Sequence, residues 1–401
     1  MSTIRRQDQE KKAALSKIQQ ENRNDYCADC SEQHPKFACI VKGIFLCLEC
    51  AGVHRSFSTD VSRIKSVDTD VWTDEMLQFM EENGNIKGNA TWAKNVPVFY
   101  RRPTPTDPHV LKEQWIRAKY ERKEFVDGAP EPPYLKGSMR GYLRKKGKDD
   151  SSWKVRLFVL SADNNSLSYY IKDQDRTPKF TFNVKEINVT FAQDRTNEDN
   201  SLQFTYVKSD GLTRNYFVSS GSGKELIDWY MAIRSAKFCL LGLNGPQADP
   251  SKVNAILTRD FTMEGFLQKK GPRDEPWAKR WFTLDGRRLL YFKEPMAPLA
   301  LGELIIGSRT ERFDLHEGCT RHQELDYCFT LTTPGRDYVV MATTENERKM
   351  WMDCLSKVIE QPMTDEDKQA MNETRAAMEK AKKKSFISNF RRSSFRDDDS
   401  T

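Results

Sequence analysis

Two Cys-x-x-Cys pairs, Cys27/Cys30 and Cys47/Cys50, are separated by sixteen residues and confine four of the chain's nine cysteines to 24 positions. Each pair closes a tight knuckle that presents two thiolates to one metal, and the intervening loop brings the second knuckle round. This is the spacing of a tetrahedral zinc site. Four reduced core cysteines would be the alternative, but Asp29, Ser31 and Glu49 flank the pairs with more polarity than a core segment carries. The pattern predicts one structural zinc ion held by Cys27, Cys30, Cys47 and Cys50. Closed four-thiolate sites rarely carry chemistry, so the function has to come from what the metal holds in place. Arg55 follows the last cysteine after four spacers.

The other cysteines (Cys39, Cys239, Cys319, Cys328, Cys354) are scattered singly, which argues for a reducing compartment. At 401 residues the chain should divide into about two to four domains. A mean hydropathy of -0.73 suits soluble domains with polar connections. No stretch approaches the ~18 apolar residues of a membrane span, and the charged N-terminus differs from a signal peptide. The formal charge of +6 matters only where it is concentrated.

The second half is written twice. Gly141-Tyr142-Leu143, Lys145-Lys146-Gly147 and Trp153, Arg156, Phe158, Leu160 recur as Gly265-Phe266-Leu267, Lys269-Lys270-Gly271 and Trp277, Arg280, Phe282, Leu284. All these pairs share one offset of 124 residues, and Trp229 and Trp351 match at 122. Such registration predicts two homologous domains of about 100 residues. Each copy alternates apolar and polar residues over short runs, with turn residues such as Asp163-Asn164-Asn165 and Asp285-Gly286 between them, which predicts antiparallel hairpins. Each copy then ends in a helical period, Lys224 to Phe238 and Glu345 to Ile359.

An opening Gly-x-Leu-x-Lys-x-Gly, a Trp/Arg/Phe second strand and a tryptophan in the last helix make both copies resemble the pleckstrin-homology (PH) domain. The resemblance implies a small β-barrel capped by a C-terminal helix, with Trp229 and Trp351 plugging the core. It also implies a phosphoinositide site, in which a strand-one lysine and a basic-x-Arg on strand two converge on headgroup phosphates. Lys145, Lys154 and Arg156 complete that pattern in the first copy. In the second, Lys269 and Arg280 match, but Ala278 replaces the first basic residue. Lys279 lies one place along, where strand alternation turns it to the other face. The first copy is the stronger candidate, with a trisphosphorylated inositol lipid favoured.

Upstream, Cys27-Ala28-Asp29-Cys30, Gly43-Ile44-Phe45-Leu46-Cys47 and Ala51-Gly52-Val53-His54-Arg55-Ser56 closely resemble the catalytic domain of Arf GTPase-activating proteins (Arf GAPs). So do Val61 to Ser66, Asp70-Val71-Trp72 and a helical stretch from Leu111 to Phe125. Together with the repeats, the order matches the dual-PH Arf GAPs of the centaurin-alpha type. The resemblance implies that Arg55 is a finger supplied in trans to an Arf-family GTPase, so that the protein activates an enzyme and is not a stand-alone hydrolase. Phe37 departs from the family, which usually carries a tryptophan there. Two other readings compete: a DNA-reading zinc finger, opposed by Asp60, Asp68, Asp70, Asp74 and Glu75, and a phosphoinositide-binding adaptor that keeps the zinc fold without the activity.

The expected architecture is a multidomain α+β chain. A helical lead-in (1–19) precedes a mainly helical Cys₄ zinc-finger Arf GAP domain (20–133). The first PH domain (137–240), a linker (241–260) and the second PH domain (261–362) follow, then a basic Ser/Phe tail (363–401). From Lys380 to Arg396 that tail has seven basic residues and no acidic one. It reads as a solvated segment or as one that touches an anionic membrane surface. The expected location is the cytoplasm with peripheral recruitment to the plasma membrane, leaving room for a nuclear pool; no nucleic-acid partner is expected.

Overall fold

The computed structural model describes residues 2–148, 152–243, 249–271, 276–319 and 326–394. Helix α1 (Ser2–Gln20) leads into a small sheet of β1 (Phe37–Cys39), β2 (Ile44–Leu46) and β3 (Ile64–Ser66), in the order β2-β1-β3. Gly43 turns the β1–β2 hairpin at φ +66°, and a Cβ there would lie 2.4 Å from that of Asn83, so both conformation and space demand glycine. Helix α2 (Leu48–His54) starts on Cys47 as N-cap, and α3 (Asp74–Glu82) on Thr73, with Asp74 and Glu75 favourably placed at the positive end of the helix dipole. Helices α4 (Gly84–Trp92) and α5 (His109–Ile116) follow. Leu15 and Ile18 of α1 join Ala38, Phe45, Val67, Trp72, Leu77 and Met80 in one apolar core.

The helix expected to run from Leu111 to Phe125 is shorter. The α-helical pattern stops at Ile116 and a π-turn spans Arg117–Glu121. The wider turn sets Lys119 and Tyr120, both buried, against Asp29, which an uninterrupted α-helix would aim differently.

The first repeat comprises β4 (Ser138–Lys146), β5 (Trp153–Ser161), β6 (Ser166–Tyr170), β7 (Phe180–Asn183), β8 (Asn188–Phe191), a short α6 (Gln193–Thr196), β9 (Ser201–Val207), β10 (Thr213–Ser219) and α7 (Gly223–Leu240). After α8 (Pro250–Leu257), the second repeat comprises β11 (Met263–Lys269), β12 (Ala278–Asp285), β13 (Arg288–Phe292), β14 (Gly302–Ile305), β15 (Asp314–Glu317), β16 (Cys328–Thr332), β17 (Asp337–Met341) and α9 (Glu345–Glu360). The sheet orders are the same, β7-β6-β5-β4-β10-β9-β8 and β14-β13-β12-β11-β17-β16-β15. Trp229 and Trp351 are fully buried, each meeting a phenylalanine (Phe158, Phe282) edge-on with ring centres 6.2 Å apart. The barrel-plugging role expected of them holds in both copies.

The chain forms two compact units. The first takes in Met1–Leu143, Val155–Lys185 and Ser219–Leu257, the second Arg144–Lys154, Glu186–Val218 and Thr258–Thr401. Within the first, α7 is fastened to the N-terminal module: the fully buried Arg234 donates to the Phe99 carbonyl at 2.8 Å and also bonds Asn254 of α8. The stretch expected as a plain linker therefore contains a helix with buried Val253 and Leu257. Within the second unit, the Asn188 amide and the Arg259 backbone exchange bonds of 2.9 and 3.0 Å, and the buried Glu303 carboxylate accepts from Thr213 and Arg288. Helix α10 (Asp365–Ser394) occupies most of the segment expected as a basic Ser/Phe tail. Phe395 and Arg396 of the expected basic run lie outside the described residues. No described helix is long and apolar enough to cross a membrane.

Candidate functional site

The two knuckles converge. The sulfurs of Cys27, Cys30, Cys47 and Cys50 all lie within 4.8 Å of one another, and all four side chains are buried. Close-packed thiols cannot all ionise unaided. Their mutual hydrogen bonds, led by the one to Cys27, push Cys50 far up, while Cys27, despite its burial, is drawn down by bonds from Cys30, Cys47 and Cys50. A divalent cation at the centre would supply the positive charge that four thiolates lack, and tetrahedral zinc fits this donor set.

Cys47 and Cys50 fix the start of α2, and the other end is fixed by charge. His54 is fully buried; its Nε2 lies 2.9 Å from Asp29 and its Nδ1 3.0 Å from Ser62 Oγ. Asp29, between the first two cysteines, also accepts from Lys119 Nζ at 2.8 Å and the Tyr120 hydroxyl at 3.0 Å. Burial alone would raise the Asp29 carboxyl, but the Lys119 ammonium and the His54 bond outweigh it and hold it below the ordinary range. His54 is the mirror case: burial opposes its charge, and the bond to Asp29 raises it nonetheless. His54 thus orients the end of α2 from a buried position, and Cys39 packs beside it, buried 3.3 Å from Ser62 Oγ.

Arg55 follows directly and points outward. It is exposed, with its guanidinium 4.6 Å from the centre of the half-buried Phe37 ring. Leu48, Gly52 and Arg55, at i, i+4 and i+7, share the outer face of α2. Leu48 is 68% exposed, and a Cβ built on Gly52 would meet nothing within 4 Å. One helix thus carries a buried face locked by sulfur and charge and an open face around a cation.

In the second repeat, Lys269 and Arg280 line one pocket of about 220 Å³, together with Ala278, Tyr291 and Arg336. Lys279 is turned away, its ammonium 4.2 Å from the centre of the Phe266 ring. Lys269 stands 5.2 Å from the Tyr291 ring centre and Arg336 stacks on Tyr338 at 4.2 Å. Arg336 was not anticipated. It follows Pro334-Gly335 in the turn between β16 and β17, and a basic residue after such a turn, far along the chain from Lys269, gave no local signal. In the first repeat, Arg156 on β5 belongs to the first unit, whereas Lys145 and Lys154 belong to the second. Lys145 lies 5.4 Å from the Tyr216 ring centre.

Comparison with known proteins follows the same division. The ArfGap family model, described as a GTPase activating protein for Arf, matches residues 12–129, and the PH domain model matches 137–238 and 261–360. "Arf-GAP with dual PH domain-containing protein 2" of Rattus norvegicus is 41% identical over 348 residues, covering 85% of this chain and 91% of that protein. The Homo sapiens protein of the same name is likewise 41% identical, over 85% and 90%. "Stromal membrane-associated protein 1" of Mus musculus is 44% identical over 113 residues, 28% of this chain and 25% of that protein.

Proposed function

The chain belongs to the Arf GTPase-activating proteins with dual PH domains, and from that premise we propose that Arg55 is the arginine it supplies to an Arf-family GTPase. The observation that carries this reading is the asymmetry of α2, whose inner face is immobilised while Arg55 stands exposed at its end. Small GTPases are slow because negative charge developing on the transferred phosphoryl group is incompletely neutralised. An arginine in trans raises the rate by about 10³–10⁵, or about 4–7 kcal/mol of barrier. Docking of the GTPase against Leu48 and the open surface at Gly52 would bring its nucleotide to the guanidinium. Phe37 holds that guanidinium over an aromatic face, so Arg55 enters with less freedom to lose.

Cys27, Cys30, Cys47 and Cys50 would hold one zinc ion, which when bound supplies folding free energy, about 10–16 kcal/mol apparent in small zinc modules. Asp29, His54, Ser62 and Lys119 keep α2 at a fixed angle to the knuckles and touch no substrate. The functional modules in this reading are 20–133, 137–240 and 261–362. Lys145, Lys154 and Arg156 in the first PH module, and Lys269, Arg280 and Arg336 in the second, would neutralise a trisphosphorylated inositol headgroup. The protein would then act from the cytoplasm at the plasma membrane. No observation supports the nuclear pool that the sequence left room for, and none is proposed.

The test is GTP hydrolysis by Arf-family proteins on vesicles with and without a trisphosphorylated phosphoinositide. The reading predicts acceleration that rises with the lipid. Lipid binding without acceleration of any Arf protein would favour the adaptor.

A further inference from the structure

From helix α10 we infer that the second PH module has an annex, a basic helical arm that meets an anionic bilayer beside the headgroup pocket. The inference rests on the phosphoinositide reading of that pocket, and its geometry lies wholly within the second unit.

The helix starts at the end of the barrel remote from the pocket. There Asp367 pairs at 3.1 Å with Arg287, in the turn joining β12 to β13, and Arg287 also donates to the carbonyls of Gln361 and Pro362 at 2.7 and 3.0 Å. The pocket is at the opposite end of β12, where Ala278 and Arg280 lie. About two turns on, Thr374 is buried beside Arg288, and Ala377 is buried as well. Next come Arg375, Met378 and Glu379, which line a cleft of about 320 Å³ with Leu301 and Arg336. Leu301, Tyr291 and Arg336 line the headgroup pocket too. The helix therefore climbs from the closed end of the barrel towards its basic mouth.

What it delivers there is charge. Between Lys380 and Ser394 the sequence holds Lys380, Lys382, Lys383, Lys384, Arg391 and Arg392, with Phe386, Ile387 and Phe390 among them and no acidic residue. At 1.5 Å per residue the helix backbone advances about 22 Å beyond Glu379, which carries this basic stretch of sequence beyond the residues that line the cleft. Basic side chains interleaved with aromatics suit the interface of an anionic bilayer, where positive charge meets lipid headgroups and phenylalanine enters the acyl boundary. A soluble inositol phosphate fills the pocket alone, whereas a bilayer engages pocket and arm together.

The experiment compares the full chain, the quadruple variant Lys380→Gln/Lys382→Gln/Lys383→Gln/Lys384→Gln and Arg280→Gln. Each is titrated with phosphatidylcholine vesicles carrying phosphatidylserine but no phosphoinositide, and separately with soluble inositol tetrakisphosphate. The quadruple variant is expected to lose about tenfold or more in vesicle affinity, with a shallower salt dependence, while binding the soluble headgroup as the full chain does. Arg280→Gln should do the reverse. Unchanged vesicle affinity in the quadruple variant overturns the annex. An equal loss towards the soluble headgroup also overturns it, since the helix would then merely shape the pocket. If the full chain ignores inositol tetrakisphosphate yet the quadruple variant still loses vesicle affinity, the phosphoinositide reading fails and the annex stands.

Discussion

In the proposed reading the Arf GAP module and the second PH module each present cations to a phosphorylated partner, and they hold them in opposite ways. Arg55 is a single group aimed by a rigid support: sulfur at one end of α2, and a buried aspartate, histidine and lysine at the other. Lys269, Arg280 and Arg336 come from three places in the sequence and line a pocket at the mouth of a barrel whose interior is apolar, with Trp351 at its centre. Transition-state chemistry needs one charge at one angle, so the support is polar, buried and intolerant. Headgroup recognition needs summed charge, so an apolar scaffold with several replaceable cations suffices. The two modules should therefore fail differently when damaged.

Loss of the metal should separate them most. Cys47→Ser, or chelation of the intact protein, is expected to remove folding free energy of about 10–16 kcal/mol and unfold the first ~125 residues. The second PH module should stay folded. Limited proteolysis with metal analysis checks this, and an intact N-terminal module without zinc would erase the contrast.

Lys119→Met probes the same support without touching a metal ligand. It takes from the buried Asp29 its strongest counter-charge, leaving only the bonds to His54 and Tyr120, which should destabilise the module by about 3–5 kcal/mol, measurable by denaturant unfolding. A loss under 1 kcal/mol would mean that the support does not depend on buried charge.

In the PH modules the expected losses are smaller and graded. Arg280→Cys and Arg336→Gln should each weaken binding to a trisphosphorylated inositol lipid by about 1.5–3 kcal/mol, the worth of a charge-assisted hydrogen bond, with no change in thermal stability. Arg156→Cys should weaken it more than Arg280→Cys, because the first copy carries the complete strand pattern. Equal losses would show that Arg336 makes up for Ala278.

The smallest effect is a gain. Gly52 sits inside α2 with open space around its Cα, so Gly52→Ala should stabilise the module by about 0.5–1 kcal/mol. If a GTPase must approach that surface closely, the same change slows GTPase activation. Stabilisation with full activity would move the docking face elsewhere.

Much of this was legible in the sequence, for identifiable reasons. The cysteine spacing encodes a metal cage directly, and the 124-residue offset encodes two copies of one barrel, because both are patterns along the chain. Strand alternation likewise separated Lys279 from Arg280. What stayed hidden depends on contacts between distant segments. Asp29 reads as a polar flank until the π-turn at Arg117–Glu121 carries Lys119 to it from ninety residues away. Arg336 reads as a turn residue until β17 folds beside β11 and faces it towards Lys269. Helix α8 was hidden because its large apolar residues Val253, Ile256 and Leu257 cover little more than one turn, too short a run to mark a period.

The central claim is that Arg55 acts through its shape as well as its charge. Single-turnover GTP hydrolysis by an Arf-family protein with Arg55→Lys in place of the native chain tests it directly. Lysine keeps the charge and loses the planar fork that spans two phosphate oxygens. Zinc content and unfolding midpoint should match the native protein while activation falls by about a hundredfold or more. Retention of most of the activity by Arg55→Lys would contradict the account.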